Sequence, residues 1–119
     1  MSNTITALRL TVDGELTAID LEQTAGAGCL QALYREIECQ GVDVVRLADN
    51  IDMWLDDEGL YTADVNPIAT AIAKAHGFVW QKYVGNVVFT GGADDEGDTL
   101  PLSPAARERI EALVADYRA

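Results

Sequence analysis

The stretch TITALRLTVDGELTAIDLE, near the start of the chain, does most to limit the fold. Thr, Val and alternating apolar residues flank Asp13-Gly14 on both sides, the pattern of two strands joined by a tight turn. A two-residue turn would set Val12 and Leu10 opposite Glu15 and Thr17. A three-residue loop sets them against Leu16 and Ala18 and gathers one apolar face, so the longer loop is expected.

Helix signals follow. In AGAGCLQALYREIECQG, Leu30, Leu33, Tyr34 and Ile37 recur at the spacing of one buried helical face, with Gly41 as the stop just past the end. VDVVRLAD predicts a strand over Val42–Leu47, and IDMWLDD predicts a second. ADVNPIATAIAKAHGF is the clearest helix: Asn66 as N-cap, Pro67 at the first helical position and Gly77 closing it. YVGNVVFTG reads as a strand of buried type. LSPAARERIEALVADYR reads as a last helix, capped by Ser103-Pro104, with Ile110, Leu113, Val114 and Tyr117 as its apolar stripe. Hairpins and helices without regular βαβ alternation place the chain in the α+β class. The expected architecture is a mixed, mostly antiparallel sheet with about three helices, in the order ββαββαβα.

The 119 residues fit one domain, 1–119, and 49% hydrophobic against 24% charged residues supports a packed core. Charge is the unusual quantity. Twenty Asp and Glu against eight Lys and Arg leave −12, a surface that repels phosphate backbones and anionic membranes. Neither direct nucleic-acid binding nor membrane binding is expected; a basic partner is, unless the acids serve solubility alone. No apolar run approaches the ~20 residues that span a bilayer. MSNTITALRL has neither a basic nor a hydrophobic leader segment, so a cytoplasmic location is expected. On one helix, Cys29 and Cys39 would lie roughly 15 Å apart along its axis, too far for a disulfide, and both are read as free thiols.

The chain spells DDEG twice, at Asp56-Asp57-Glu58-Gly59 and at Asp94-Asp95-Glu96-Gly97. Asp and Gly favour tight turns, because Asp bonds its own downstream backbone and Gly accepts positive φ. Solvated turns are therefore the first reading of both. Asp94, Glu96 and Asp98 alternate as in a calcium loop, but the twelfth position from Asp94 is Ala105, which lacks the closing carboxylate. Loose cation binding by Asp94, Asp95, Glu96 and Asp98 stays open as an alternative. An acid/base pair would need burial, for which Asp52 and Asp64, beside Met53 and Val65, are the candidates. His76, the one histidine, reads as a cap favoured in its charged form at a helix C-terminus. A pair with Cys29 or Cys39 lacks an orienting motif. No catalytic residue, metal or cofactor is assigned.

HGFVWQKYVGN concentrates Phe78, Trp80 and Tyr83 between a helix and a strand. At least one ring is expected in the core. Trp80 and Tyr83, exposed together, would anchor a partner, or stack a planar ligand beside the helix that starts at Asn66, with Asn86 nearby.

The order NPIATAIA…VGNVVFTGGADDEGD…LS resembles a family of small uncharacterised proteins of bacteriophages, plasmids and actinobacterial or clostridial genomes. ECQGVDVVRL is similar to that family's upstream GGxxEVV strand, with one glycine instead of two, and the likeness spans about residues 28–103. It implies a mobile-element context, and hence a role in host takeover, counter-defence or plasmid maintenance. Asn66, Pro67, Gly85 and Asn86 match its pattern, and each also has a structural explanation.

The expected function is that of a non-catalytic acidic binding protein. Asp56, Asp57, Glu58, Asp94, Asp95, Glu96 and Asp98 would dock on a basic host protein, in the sharpest form as a DNA mimic. The alternative is a small, nucleotide-like ligand held near Asn66, Trp80, Tyr83 and Asn86. A third is a metal-dependent carboxylate hydrolase. A symmetric homodimer through a sheet edge or a helix face is compatible with either binding role.

Overall fold

The computed structural model describes residues 4–23, 28–58, 64–79 and 82–118. Five strands and three helices follow one another as β1 (Thr4–Leu10), β2 (Leu16–Glu22), α1 (Leu30–Ile37), β3 (Val42–Ala48), β4 (Ile51–Asp56), α2 (Pro67–Ala75), β5 (Val87–Thr90) and α3 (Pro104–Arg118). The strands form one sheet in the order β2-β1-β5-β4-β3, antiparallel at every pairing. The fold is α+β with the expected element order, and β5 joins the two hairpins by inserting between β1 and β4.

The first hairpin keeps the expected loop length and shifts its frame. Leu10 pairs with Leu16 rather than Ala18. Thr11 N–H bonds Glu15 O at 3.0 Å, and Gly14 N–H bonds Thr11 O at 3.0 Å, so the loop is Val12–Gly14. Gly14 stands at φ 89°, the left-handed third residue that a three-residue hairpin loop requires. That demand fixes where the loop ends, which apolar alternation alone could not decide.

Helix α1 also stops earlier than the glycine signal predicts. Glu38 takes the left-handed conformation (φ 63°, ψ 53°), and Cys39 N–H returns to Tyr34 O at 3.0 Å. Gly41 instead opens the β3–β4 hairpin, its carbonyl accepting Asp57 N–H at 3.1 Å. A Cβ there would meet the Asp57 carboxylate, 2.7 Å from Oδ2. That group is exposed and free to swing aside. Gly41→Ala should therefore change stability by less than about 0.5 kcal/mol in a urea titration; a loss well beyond that would restore Gly41 as a conformational stop.

Two cores sit on opposite faces of the sheet. One packs Leu8, Leu10, Met53, Val87 and Phe89 under Ile68 and Ile72 of α2 and Ile110 and Val114 of α3. The other packs Ile5, Ala7, Leu21 and Val88 under Ala32, Leu33 and Ile37 of the eight-residue α1. Both later helices start as their sequences predict: Asn66 Oδ1 accepts Ala69 N–H at 3.1 Å, and Ser103 Oγ accepts Ala106 N–H at 3.2 Å. The predicted stripes are narrower in fact. Leu30 and Tyr117 are exposed, while Ala32 and Ala106, small enough for close approach to the sheet, are buried.

Candidate interaction surface

In both DDEG copies the first acid bonds the amide two residues on. Asp56 Oδ1 accepts the Glu58 amide at 2.9 Å, and Asp94 Oδ1 accepts the Glu96 amide at 2.9 Å. Asp94 Oδ1 also takes the Asp98 amide at 2.9 Å, and Gly97, at φ 85°, donates to Asp94 O at 3.0 Å. The first acid of each run thus spends its side chain on the turn. Asp57, Glu58, Asp95, Glu96 and Asp98 are left exposed.

The two turns lie at opposite ends of α1. At its C-terminal end, Glu38, Cys39, Gln40, Gly41, Asp56, Asp57 and Glu58 line a depression of about 380 Å³. Four of these seven residues are carboxylates and none is a cation. The carbonyl end of a helix adds partial negative charge at the same place. The Cys39 thiol registers this field: burial first, then the charges of Asp56 and Asp57, hold its pKa above the usual cysteine value. Lys82 lines an adjoining depression with Asp43 and Leu55, which shares Asp56 and Asp57 with the first.

At the N-terminal end, Gln23, Cys29, Leu33, Trp54, Asp98 and Thr99 border a cleft of about 250 Å³. Gln23 Nε2 donates to Thr99 O at 3.0 Å, and Trp54 Nε1 donates to Thr90 Oγ1 at 2.8 Å. Burial pushes the Cys29 thiol up, the opposite of what a nucleophile needs. Sequence reasoning missed Trp54. The signal was its place in β4 between Asp52 and Asp56, which makes one strand face carry an indole flanked by acids.

His76 is held at both ring nitrogens. Its Nδ1 lies 2.8 Å from Ile72 O, and Arg109 Nε donates to its Nε2 at 3.2 Å. A carbonyl only accepts and an arginine only donates, so the two bonds together fit the Nδ1–H tautomer. The ring thus takes part in the C-terminal cap of α2. His76 ends α2, whereas Cys29 and Cys39 pack with α1 on the other face of the sheet, so no Cys–His pair forms.

Asn66, expected beside a ligand, is sealed in the interior at 0% exposure. Its Nδ2 donates to Leu10 O at 3.2 Å and to Gly85 O at 2.9 Å, while Oδ1 caps α2. With both donors and an acceptor committed, the side chain has no group aimed outward. Tyr83 is likewise buried, so its ring belongs to the core and does not form an exposed anchor. Asn86 is half-buried at the sheet's end and donates to Glu38 Oε2 at 3.3 Å. Trp80 and Gly59 lie outside the described residues.

Among the described residues, no three His, Cys, Asp or Glu side chains converge in a way that could hold a metal ion. Asp52 is buried and accepts from Arg46 Nε at 3.2 Å, whereas Asp64 is exposed. No helix among the described residues is long and apolar enough to cross a membrane.

These features define an antiparallel five-stranded α+β protein, one helix on one face and two on the other, with an acid-lined depression at a helix C-terminus. The chain belongs to the family DUF3846, a domain of unknown function, whose model matches residues 5–115. No curated protein and no solved structure matches it.

Proposed function

We propose that this is a non-catalytic acidic binding protein that docks on a basic surface of a host protein. The observation that carries the proposal is the depression where Glu38, Asp56, Asp57 and Glu58 meet the C-terminal end of α1 without a cation among its lining residues. Four carboxylates and a helix carbonyl end focus one sign of potential, which steers and orients an oppositely charged partner. The second acidic turn, at Asp94–Asp98, extends the negative surface around the other end of α1. The likeness at NPIATAIA…VGNVVF supplies the setting, a phage or plasmid protein acting against or through a host factor. DNA mimicry is the sharper form of the same function: the acids would occupy a surface that otherwise holds phosphates.

The test is capture from host lysate at about 0.05 and 0.5 M salt, where screening shortens from roughly 14 to 4 Å. A basic protein should be retained at low salt and lost at high salt. The combined substitution Glu38→Gln, Asp56→Asn, Asp57→Asn and Glu58→Gln should lower retention at least tenfold. An unchanged set of captured proteins with that variant would remove the depression from the function.

A further inference from the structure

The outer edge of β3 is the second unusual feature of the acidic end. β3 is the last strand of the sheet on that side. Its inward and outward backbone groups are fixed by one bond: Asp57 N–H to Gly41 O, with Val42 opposite Asp56 and Val44 opposite Trp54. In an antiparallel pair the bonded residues alternate, so residues 41, 43 and 45 face β4. The N–H and C=O groups of Val42, Val44 and Arg46 therefore point away from the sheet. Among the described residues, no strand pairs with them.

One of these outward groups is already covered from within. The Val44 amide donates to Asp43 Oδ1 at 2.9 Å, so the carboxylate folds around the edge and fills the place a neighbouring carbonyl would take. Val44 itself is 42% exposed. An acid on an edge strand deters pairing with another copy of the same chain, and with −12 net charge a second copy is the least favourable occupant.

We infer that the β3 edge accepts an extended basic segment of the partner as a sixth strand, with Asp43 as the latch that the segment releases. The inference rests on the proposed docking function and names how the partner is held. A carbonyl of the incoming strand takes the Val44 N–H, and the freed Asp43 carboxylate turns to a Lys or Arg of that strand. The geometry favours this exchange. Because the even positions form the bonded pairs on the outer side, Asp43 falls in a non-bonded pair, where opposing side chains approach most closely. An alternating pattern of basic and apolar residues suits the edge, with the apolar side chain set against Val44. The carboxylates of Asp56, Asp57 and Glu58 stand at the start of the same strand pair for a further cation.

The test uses the full chain and a synthetic peptide alternating Lys and Val, with an Asp–Val peptide as control, read by fluorescence anisotropy at low salt. Val44→Pro blocks the edge while sparing the fold, since the amide it removes bonds only the Asp43 side chain. It should weaken the Lys–Val peptide at least tenfold, Asp43→Asn should weaken it about threefold, and the Asp–Val peptide should not bind. In the wild-type chain, the Val42 and Arg46 amides should exchange more slowly with the Lys–Val peptide present. Binding to Val44→Pro within twofold of wild type, or unchanged exchange at those amides, overturns strand addition. If the quadruple acid variant still loses binding in that case, the docking function stands without it.

Discussion

Asn66→Ala should lower the unfolding free energy by about 3 kcal/mol, seen as a fall of roughly 10 °C in the calorimetric midpoint. About 1 kcal/mol of this is the lost cap on Ala69. The rest comes from the Leu10 and Gly85 carbonyls, which lose the Nδ2 donor, the first in the buried interior and the second at a half-buried position. Asn66→Asp separates the two contributions. Aspartate caps helices as well as asparagine does, so a residue that only capped would tolerate it. Here the new carboxylate would replace the amide that donates to two carbonyl oxygens, at a position with 0% exposure. The loss should equal or exceed that of the alanine. Stability close to wild type in Asn66→Asp would mean that Nδ2 contributes nothing and that the side chain is a cap alone.

Phe89→Ala should cost about 4 kcal/mol in a two-state urea titration. Phe89 lies on the middle strand, opposite Leu8 on one side and Met53 on the other, and is fully buried under the α2–α3 layer. Neighbours on three sides hold the backbone, so the cavity left by the ring cannot collapse. Val88→Ala empties less volume on the α1 face and should cost less. A loss for Phe89→Ala below about 2 kcal/mol would show that the α2–α3 layer can settle onto the sheet.

Much of the fold was legible. Asn66-Pro67 and Ser103-Pro104 mark helix starts by chemistry that acts within four residues, and both helices begin there. The strand pair around Asp13-Gly14 is local too, since that hairpin closes over a short loop. The misplaced features share a cause. Gly41 resembled a helix stop because glycine serves several backbone purposes, and only the neighbouring Asp57 shows which one applies. Leu30 and Tyr117 had the right helical phase, yet they stand in the first turn of α1 and the last turn of α3 and are exposed.

The candidate surface was less legible than the fold. The acids of both DDEG runs could be named, and their turn chemistry follows from Asp and Gly alone. That α1 lies between the two runs could not be read, because strand pairing across the sheet sets it. Asn66 and Tyr83 were named for an outward role and belong inside, for the same reason: an amide or a phenol looks identical in sequence whether it meets solvent or two carbonyl groups.

By itself, then, the chain determined its charge, its hairpins, its helix starts and its acidic turns, all set by interactions between residues close in sequence. Tertiary structure alone decided that β5 occupies the centre of the sheet, that Asn66 ties Leu10 to Gly85, and that Glu38 meets Asp56–Glu58. Each of these joins residues at least eighteen positions apart in a single bond or contact. The physical reason is that such contacts are selected by packing of the whole sheet against its helices, which no local pattern encodes.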